Sequence, residues 1–152
     1  MEQESIFEEI PTEKLFKPLG IYIATFFGGP IVAGYLISCN YKSLNEKHNF
    51  VKTWVFTIIG TVLILFYIYA FSNKSSRHLP GFLFPLIYTI ITYNVVNLVQ
   101  KRKIAAYISS GGQFHPPSGI IIVVIVGLVI TFFGLLIIGN IFDWFDQMGI
   151  TY

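Results

Sequence analysis

Charged residues are scarce in this chain of 152 residues. Only 12% are Asp, Glu, Lys or Arg, whereas 54% are hydrophobic. Soluble domains are about 25% charged, and a small one leaves too much of its surface in water to hide so many apolar side chains. The composition therefore excludes an ordinary water-soluble domain and predicts an integral membrane protein that is surrounded by a lipid bilayer.

The groups that catalysis or metal binding would need are also missing. His48, His78 and His115 have no Cys or carboxylate at ligand spacing beside them, and a metal site needs three or four converging donors. There is no acid–base pair, nucleophile motif or phosphate-binding loop. The single cysteine, Cys39, excludes an internal disulfide, and a net charge of +2 is too small to indicate a nucleic-acid partner. We expect no enzyme activity, no cofactor and no metal.

Four apolar segments, by contrast, are long. Each contains about 20 residues without a charged side chain or histidine, and a helix of that length covers the ~30 Å hydrocarbon core. Backbone groups in lipid must bond within their own segment, so these runs should be helices. The predicted fold is all-α, a four-transmembrane-helix bundle over 19–140 with helices at about 19–40, 53–72, 81–100 and 119–139. A polar, acidic N-terminal tail (1–18) precedes it, and an interfacial C-terminal tail (141–152) follows.

Basic residues indicate the orientation of such a bundle. With four crossings, loops one and three share a face and carry six Lys and Arg residues, whereas the opposite face carries four. Cytoplasmic loops are enriched in Lys and Arg. We therefore expect loops one and three in the cytoplasm, and both termini outside the cell membrane.

The first segment is interrupted by Gly28-Gly29-Pro30. Pro30 lacks an amide N–H and clashes with the preceding turn, and the two glycines add backbone freedom. We expect a kink or a short break near the middle of the membrane. The carbonyl groups freed at such a break bind solutes or ions in some transporters. Alternatively, the break is a packed kink, in which Gly20, Ala24 and Gly28 form a strip that lets a neighbouring helix approach.

A polar stripe follows the third segment. Thr89, Tyr93, Asn97 and Gln100 are spaced for one helix face, and Asn94 lies beside them. Amide side chains are costly in lipid, so they need polar partners or water. One interpretation is a polar cavity or oligomer pore, and the other is hydrogen bonding between helices.

Small residues mark one face of the fourth segment. Gly127, Thr131 and Gly134 recur at helical spacing among large aliphatic residues. Such a flat face permits close helix packing. We expect a seam here, either within the bundle or against another copy of the chain.

The stretch 27–36, FGGPIVAGYL, followed by Gly111-Gly112-Gln113, resembles a family of small bacterial four-helix integral membrane proteins without an assigned activity. In that family the Gly-Gly-Pro and the later Gly-Gly-Gln would span most of the chain. The resemblance implies a bacterial four-helix architecture and no particular mechanism.

Two functions are favoured by these residues, and an enzyme is kept as a third only because intramembrane chemistry can reside in unremarkable residues. The leading expectation is a non-enzymatic accessory or scaffold subunit that acts by helix packing, as a homo-oligomer or with other membrane proteins. The alternative is an oligomeric channel or small-solute transporter that uses the Gly28-Gly29-Pro30 break and the Asn94/Asn97 face. The two differ in whether these residues converge on one water-accessible cavity.

Overall fold

The computed structural model describes residues 13–72 and 83–148, and helices make up most of them. Four helical segments are long and apolar enough to cross a membrane, which confirms the all-α prediction at that level. Two short strands, β1 (Lys14–Leu15) and β2 (Gln113–Phe114), pair in parallel. The helices are α1 (Pro18–Ser43), α2 (Lys47–Ser72), α3 (Leu83–Val95), α4 (Lys101–Ser109) and α5 (Pro117–Gln147), and a π-helical turn (Val96–Gln100) joins α3 to α4.

Helix α1 reverses its direction at Gly29, where φ is 81° and ψ is −177°. The side chain of Asn40 accepts a hydrogen bond from the Phe16 N–H (2.7 Å) and donates one to the Phe16 carbonyl (3.1 Å). In one straight helix these two residues would lie ~36 Å apart, at a rise of about 1.5 Å per residue. The contact therefore requires the second half of α1 to run back along the first.

The reversal makes α1 a helical hairpin. We call residues 18–28 its outgoing limb, residues 30–43 its returning limb, and Gly28-Gly29-Pro30 its tip. The Ser43 hydroxyl also donates to the Lys14 carbonyl (3.3 Å), and this pair and the Phe16–Asn40 pair are both centred on the two glycines. Pro30 begins the returning limb, a position where a missing N–H is no loss.

The hairpin lies at the centre of the bundle and contacts α2, α3 and α5. Its most apolar window is 56% buried, whereas the other three long segments are only 6% to 17% buried. Apolar side chains from both limbs and from the π-helical turn form the core, among them Ile21, Ala24, Val32, Leu36 and Val96.

The bundle has two distinct ends. The basic end comprises residues 13–17, 42–52 and 100–118, and it is joined by the β1–β2 pair, by an ion pair between Glu46 and Lys103, and by further backbone contacts. The far end contains the C-terminal ends of α2 and α5 and the N-terminal end of α3. There the aromatic rings of Tyr67 and Phe84 lie 5.7 Å apart, and those of Phe66 and Phe142 lie 5.6 Å apart.

One topological prediction is wrong. We predicted the segment before the first helix to lie on the opposite face from loops one and three, but residues 13–17 lie beside both loops at the basic end. The physical reason is the hairpin, because α1 enters and leaves at the same end. Eight of the ten Lys and Arg residues consequently lie at the basic end, and Lys74 and Arg77 lie outside the described residues.

The helices extend beyond their predicted bounds: α1 ends at Ser43 and α2 already begins at Lys47, and the last two segments extend furthest. The third segment continues through α4 to Ser109, because Lys, Arg and Ala favour helix and because Ile104 is buried against the bundle. Helix α5 continues to Gln147, through residues that we predicted as an interfacial tail. The predicted tail residues 1–12 and 149–152 lie outside the described part of the chain.

The Asn40 side chain should matter more for stability than an exposed amide. Asn40→Ala leaves the N–H and C=O of Phe16, a buried residue, without their partners, and each buried orphan costs about 1–3 kcal/mol. We expect a clear loss of thermal stability in detergent. Asn94→Ala is the matched control, because that amide is exposed and donates only to the Ile90 carbonyl of its own helix. Equal losses in both variants would show that the Asn40–Phe16 hydrogen bonds add no stability beyond that of an exposed amide.

The Glu46–Lys103 ion pair should give the protein a modest sensitivity to acid. The hydrogen bond from Lys103 holds the pKa of the Glu46 carboxyl below its ordinary value of 4.5. A depressed folded-state pKa stabilises the fold above the unfolded value, and this contribution disappears as pH falls through the folded pKa. Because the Lys103 and Glu46 side chains are 41% and 24% exposed, we expect less than about 1 kcal/mol.

Thermal unfolding from about pH 7 to about pH 3 tests this dependence. Lys103→Met should lower stability at neutral pH and flatten the acid-side decline. Lys101→Met, which removes a neighbouring exposed charge, is the control. A decline that is as steep in Lys103→Met as in the wild type would show that other carboxyl groups cause it.

Candidate functional site

The tip of the hairpin is enclosed by α5 and α3. Gly28 and Gly29 are buried, and a Cβ built on Gly28 would lie 3.4 Å from the Cα of Val124 on α5. On the other side, the Tyr88 hydroxyl of α3 donates to the Phe26 carbonyl at 3.3 Å. That carbonyl belongs to the last turn of the outgoing limb, where backbone oxygens lack helical partners. Tyr88 therefore caps part of the break.

Gly127, Thr131 and Gly134 all face the inside of the bundle. A Cβ on Gly127 would lie 2.1 Å from Val32 Cγ2 and 3.0 Å from the Gly28 carbonyl oxygen. A Cβ on Gly29 would lie 3.7 Å from the Thr131 hydroxyl, and one on Gly134 would lie 3.4 Å from Leu65 Cδ1. The three residues thus follow the line along which α5 meets the hairpin and α2.

The polar stripe of α3 faces the hairpin only in part. The Thr89 hydroxyl and the Asn97 side-chain nitrogen are buried without a hydrogen-bond partner. The ring of Tyr93 lies 5.2 Å from that of Tyr22 on the outgoing limb, although half of Tyr93 is exposed. Asn94 is exposed and donates to the Ile90 carbonyl at 2.8 Å, within its own helix. The stripe therefore brings Thr89 and Asn97 inward and leaves Asn94 outside.

The π-helical turn positions the end of this stripe. An extra residue per turn changes which side chains face inward, and such turns are rare and often occur at functional sites. Here the buried amide of Gln100 donates to the Ile37 carbonyl of the returning limb at 2.9 Å. The turn thus bonds the third segment to the hairpin near the basic end.

A groove of about 420 Å³ lies between α2 and α3, with the returning limb as its floor. Its lining is mostly apolar, and its one charged and one amide side chain, Lys52 and Asn49, lie at the basic end. The floor comprises Pro30, Ala33, Gly34, Ile37 and Tyr41; the α2 wall comprises Asn49, Lys52, Thr53, Phe56, Thr57, Gly60 and Ile64; and the α3 wall comprises Tyr88, Ile91, Thr92, Val95 and Val99.

The groove contains only one of the residues predicted for a polar cavity. Pro30 lines it, whereas Gly28, Gly29, Thr89, Tyr93, Asn94 and Asn97 do not. A shared water-filled cavity for all seven residues stays a prediction. The described contacts instead join the tip to α5 and the inward part of the stripe to the hairpin.

Sequence reasoning did not single out Asn40, Tyr88 or Lys52 as site residues. Asn40 marked only the end of an apolar run, although it is completely buried. Its one signal in the sequence is its distance from Gly28, which equals that of Phe16 on the other side. Without knowledge of the reversal, this symmetry has no meaning.

Gly29→Ala should strain the tip. The backbone of Gly29, with φ at 81° and ψ at −177°, lies in a region that is essentially restricted to glycine, and a residue forced into such a region costs about 1–3 kcal/mol. We expect a lower unfolding temperature in detergent. Gly60→Ala is the control, because Gly60 is helical and a Cβ there meets nothing within 4 Å. If Gly29→Ala is as stable as Gly60→Ala, the reversal at this residue is wrong.

Comparisons with known proteins add no assignment. Among the described residues, no group of three or more His, Cys, Asp and Glu side chains comes together in a way that could hold a metal ion. No family model, curated protein or solved structure matches the chain. The family resemblance of the 27–36 stretch stays a prediction.

Proposed function

We propose that this chain is an integral protein of the bacterial cell membrane that performs no enzyme chemistry and acts as a scaffold or accessory subunit through helix packing. The observation that carries the proposal is the enclosure of the hairpin tip. Gly28 and Gly29 are buried, and Gly127 of α5 lies directly against the Gly28 carbonyl. The break in α1 is thus used for close packing.

The proposed membrane arrangement has three crossings and one re-entrant hairpin. A limb of 11 residues is ~16 Å long, about half of the ~30 Å hydrocarbon core, so α1 turns near the midplane. Non-helical backbone is tolerated at that depth only where protein or a water-filled cavity surrounds it, and Gly29 is buried in the bundle. The basic end carries eight of ten Lys and Arg residues, which favours the cytoplasm.

The outer face of α5 is the surface that we assign to a partner. Ile125, Val129, Phe132 and Leu136 share this face, and each is 47% to 59% exposed. A second copy of the chain or another membrane protein would cover it, as expected for a small subunit whose helices are mostly unburied within one copy.

A photo-reactive amino acid at Val129 tests this assignment in the membrane of the source cell. We expect an adduct of one discrete mass with a second copy or another membrane protein. The same group at Val124, which packs against the tip, should react only within its own chain. If Val129 yields lipid adducts alone, the scaffold proposal is wrong.

One observation favours transport as the second candidate. The Thr89 hydroxyl and the Asn97 side-chain nitrogen are buried without a hydrogen-bond partner, and buried polar groups in this state commonly bind water or a polar ligand. A water-filled path between α3 and the hairpin would supply hydrogen-bond partners to both groups. Solute flux into reconstituted vesicles that Asn97→Leu abolishes, while the fold survives, would favour transport over the scaffold.

A further inference from the structure

The groove between α2 and α3 changes in character along its length. At the basic end it is bordered by Lys52 and Asn49. Toward the tip its walls are mostly apolar side chains such as Phe56, Ile64 and Ile91, and Thr57, Thr92 and Tyr88 also line this part. The Thr53 hydroxyl is bonded to the Asn49 carbonyl at 2.8 Å. This threonine therefore adds no free polar group to the inner part of the groove.

The length of the groove matches one leaflet of a bilayer. From Lys52 to Ile64 the α2 wall rises ~18 Å, against ~15 Å for half of the hydrocarbon core. At the far end, α2 and α3 approach each other through Tyr67 and Phe84. A partner helix that crosses the membrane would need a groove that continues through both leaflets. A single acyl chain that ends near the midplane needs only this one.

The charge at the mouth selects the kind of lipid. Lys52 is exposed at the groove entrance, and Lys42 and Lys47 are exposed nearby in the sequence. Among residues 42–52, all of which the structure describes, the one carboxylate is Glu46, and it is bonded to Lys103 and to the Asn49 amide. The mouth is therefore net positive, as in the basic pockets between membrane helices that bind anionic head groups on the cytoplasmic side.

We infer that this groove is a binding site for one anionic phospholipid of the cytoplasmic leaflet. One acyl chain lies between α2 and α3 on the returning limb, and the phosphate lies beside Lys52. A volume of about 420 Å³ is within the ~300–1,000 Å³ of small-molecule sites. The inference rests on the proposed membrane arrangement, which places the basic end in the cytoplasm.

Native mass spectrometry in detergent tests the site with dioleoyl phosphatidylglycerol and dioleoyl phosphatidylcholine at equal concentrations. We expect the wild type to retain one phosphatidylglycerol in preference to phosphatidylcholine. Lys52→Gln should reduce this preference about fivefold, the value expected for one lysine near a head group. Lys101→Gln, an exposed charge at the same end that does not line the groove, should leave it unchanged.

Gly60→Leu tests the acyl-chain part of the site. A Cβ on Gly60 meets nothing within 4 Å, so a larger side chain can enter the groove without disturbing the fold. We expect it to reduce retention of both lipids without lowering the unfolding temperature. Unchanged retention in Gly60→Leu, or equal effects of Lys52→Gln and Lys101→Gln, would overturn the inference. So would a dimer that Gly60→Leu dissociates, because a second copy would then occupy the groove.

The lipid site and the scaffold proposal fail separately. Photo-crosslinking from Val129 concerns the outer face of α5, which does not line the groove. Loss of the lipid preference with intact crosslinking removes only the lipid site. Loss of crosslinking with an intact lipid preference removes only the scaffold.

Discussion

A cysteine at Glu13 and a cysteine at Met148 should be labelled from opposite sides of the membrane. Both positions are exposed, and Cys39 is first replaced by serine so that no other thiol reacts. The proposed arrangement, with three crossings after the hairpin, puts Glu13 at the cytoplasmic basic end and Met148 at the outer far end. An impermeant thiol reagent added to intact cells should therefore modify the Met148→Cys variant and spare the Glu13→Cys variant.

Ser109→Cys provides the internal comparison for this experiment. Ser109 ends α4 at the basic end, so it should be protected together with Glu13 and become reactive only after the cells are opened. Four full crossings would instead put Glu13 and Met148 on one side and Ser109 on the other. Joint labelling of Glu13→Cys and Met148→Cys in intact cells would therefore reject the re-entrant hairpin.

Gly127→Leu should destabilise the protein far more than the same change elsewhere on α5. Its Cβ would stand 2.1 Å from Val32 Cγ2 and 3.0 Å from the Gly28 carbonyl oxygen. The side chain of Val32 can move, but the backbone of the tip is fixed by its own turn. Overpacking of this kind costs typically about 1–3 kcal/mol and sometimes more.

A series along α5 separates this packing effect from helix propensity. Gly134→Leu meets only Leu65 Cδ1 at 3.4 Å, and Gly139→Leu meets nothing within 4 Å of its Cβ. All three changes give the same gain in helix propensity. Unfolding temperatures in detergent should therefore rank Gly139→Leu highest and Gly127→Leu lowest. If the three variants unfold alike, α5 does not press against the tip.

Hydropathy could predict the four apolar segments because a long run without charge has few other interpretations. It could not predict the reversal in α1, because a hydropathy profile gives the length of an apolar run and no information about the direction in which the chain runs. Two short limbs joined at Gly29 look like one crossing when they are read as a single run. Pro30 supplied a partial signal, since proline suits the start of a helix as well as a kink.

The polar stripe of the third segment was predictable only in part from helical spacing. Thr89 and Asn97 share a face at regular spacing, and both have polar atoms buried in the structure. Asn94 follows Tyr93 by one residue, a rotation of about 100° that turns it away from the hairpin. Nothing in the sequence indicated the groove, because it depends on how α1, α2 and α3 pack against each other.

The parallel pairing of β1 with β2 has a consequence for the order in which the protein is assembled. Leu15 pairs with Phe114, and the His115 amide donates to the Leu15 carbonyl at 2.8 Å. During synthesis the N-terminal residues emerge first. Asn40 can form its hydrogen bonds to Phe16 early in synthesis. The strand pair can form only after residues 113 and 114 have left the ribosome. Strand β1 is therefore made before every helix described above, but it reaches its paired position only after α4 has been made.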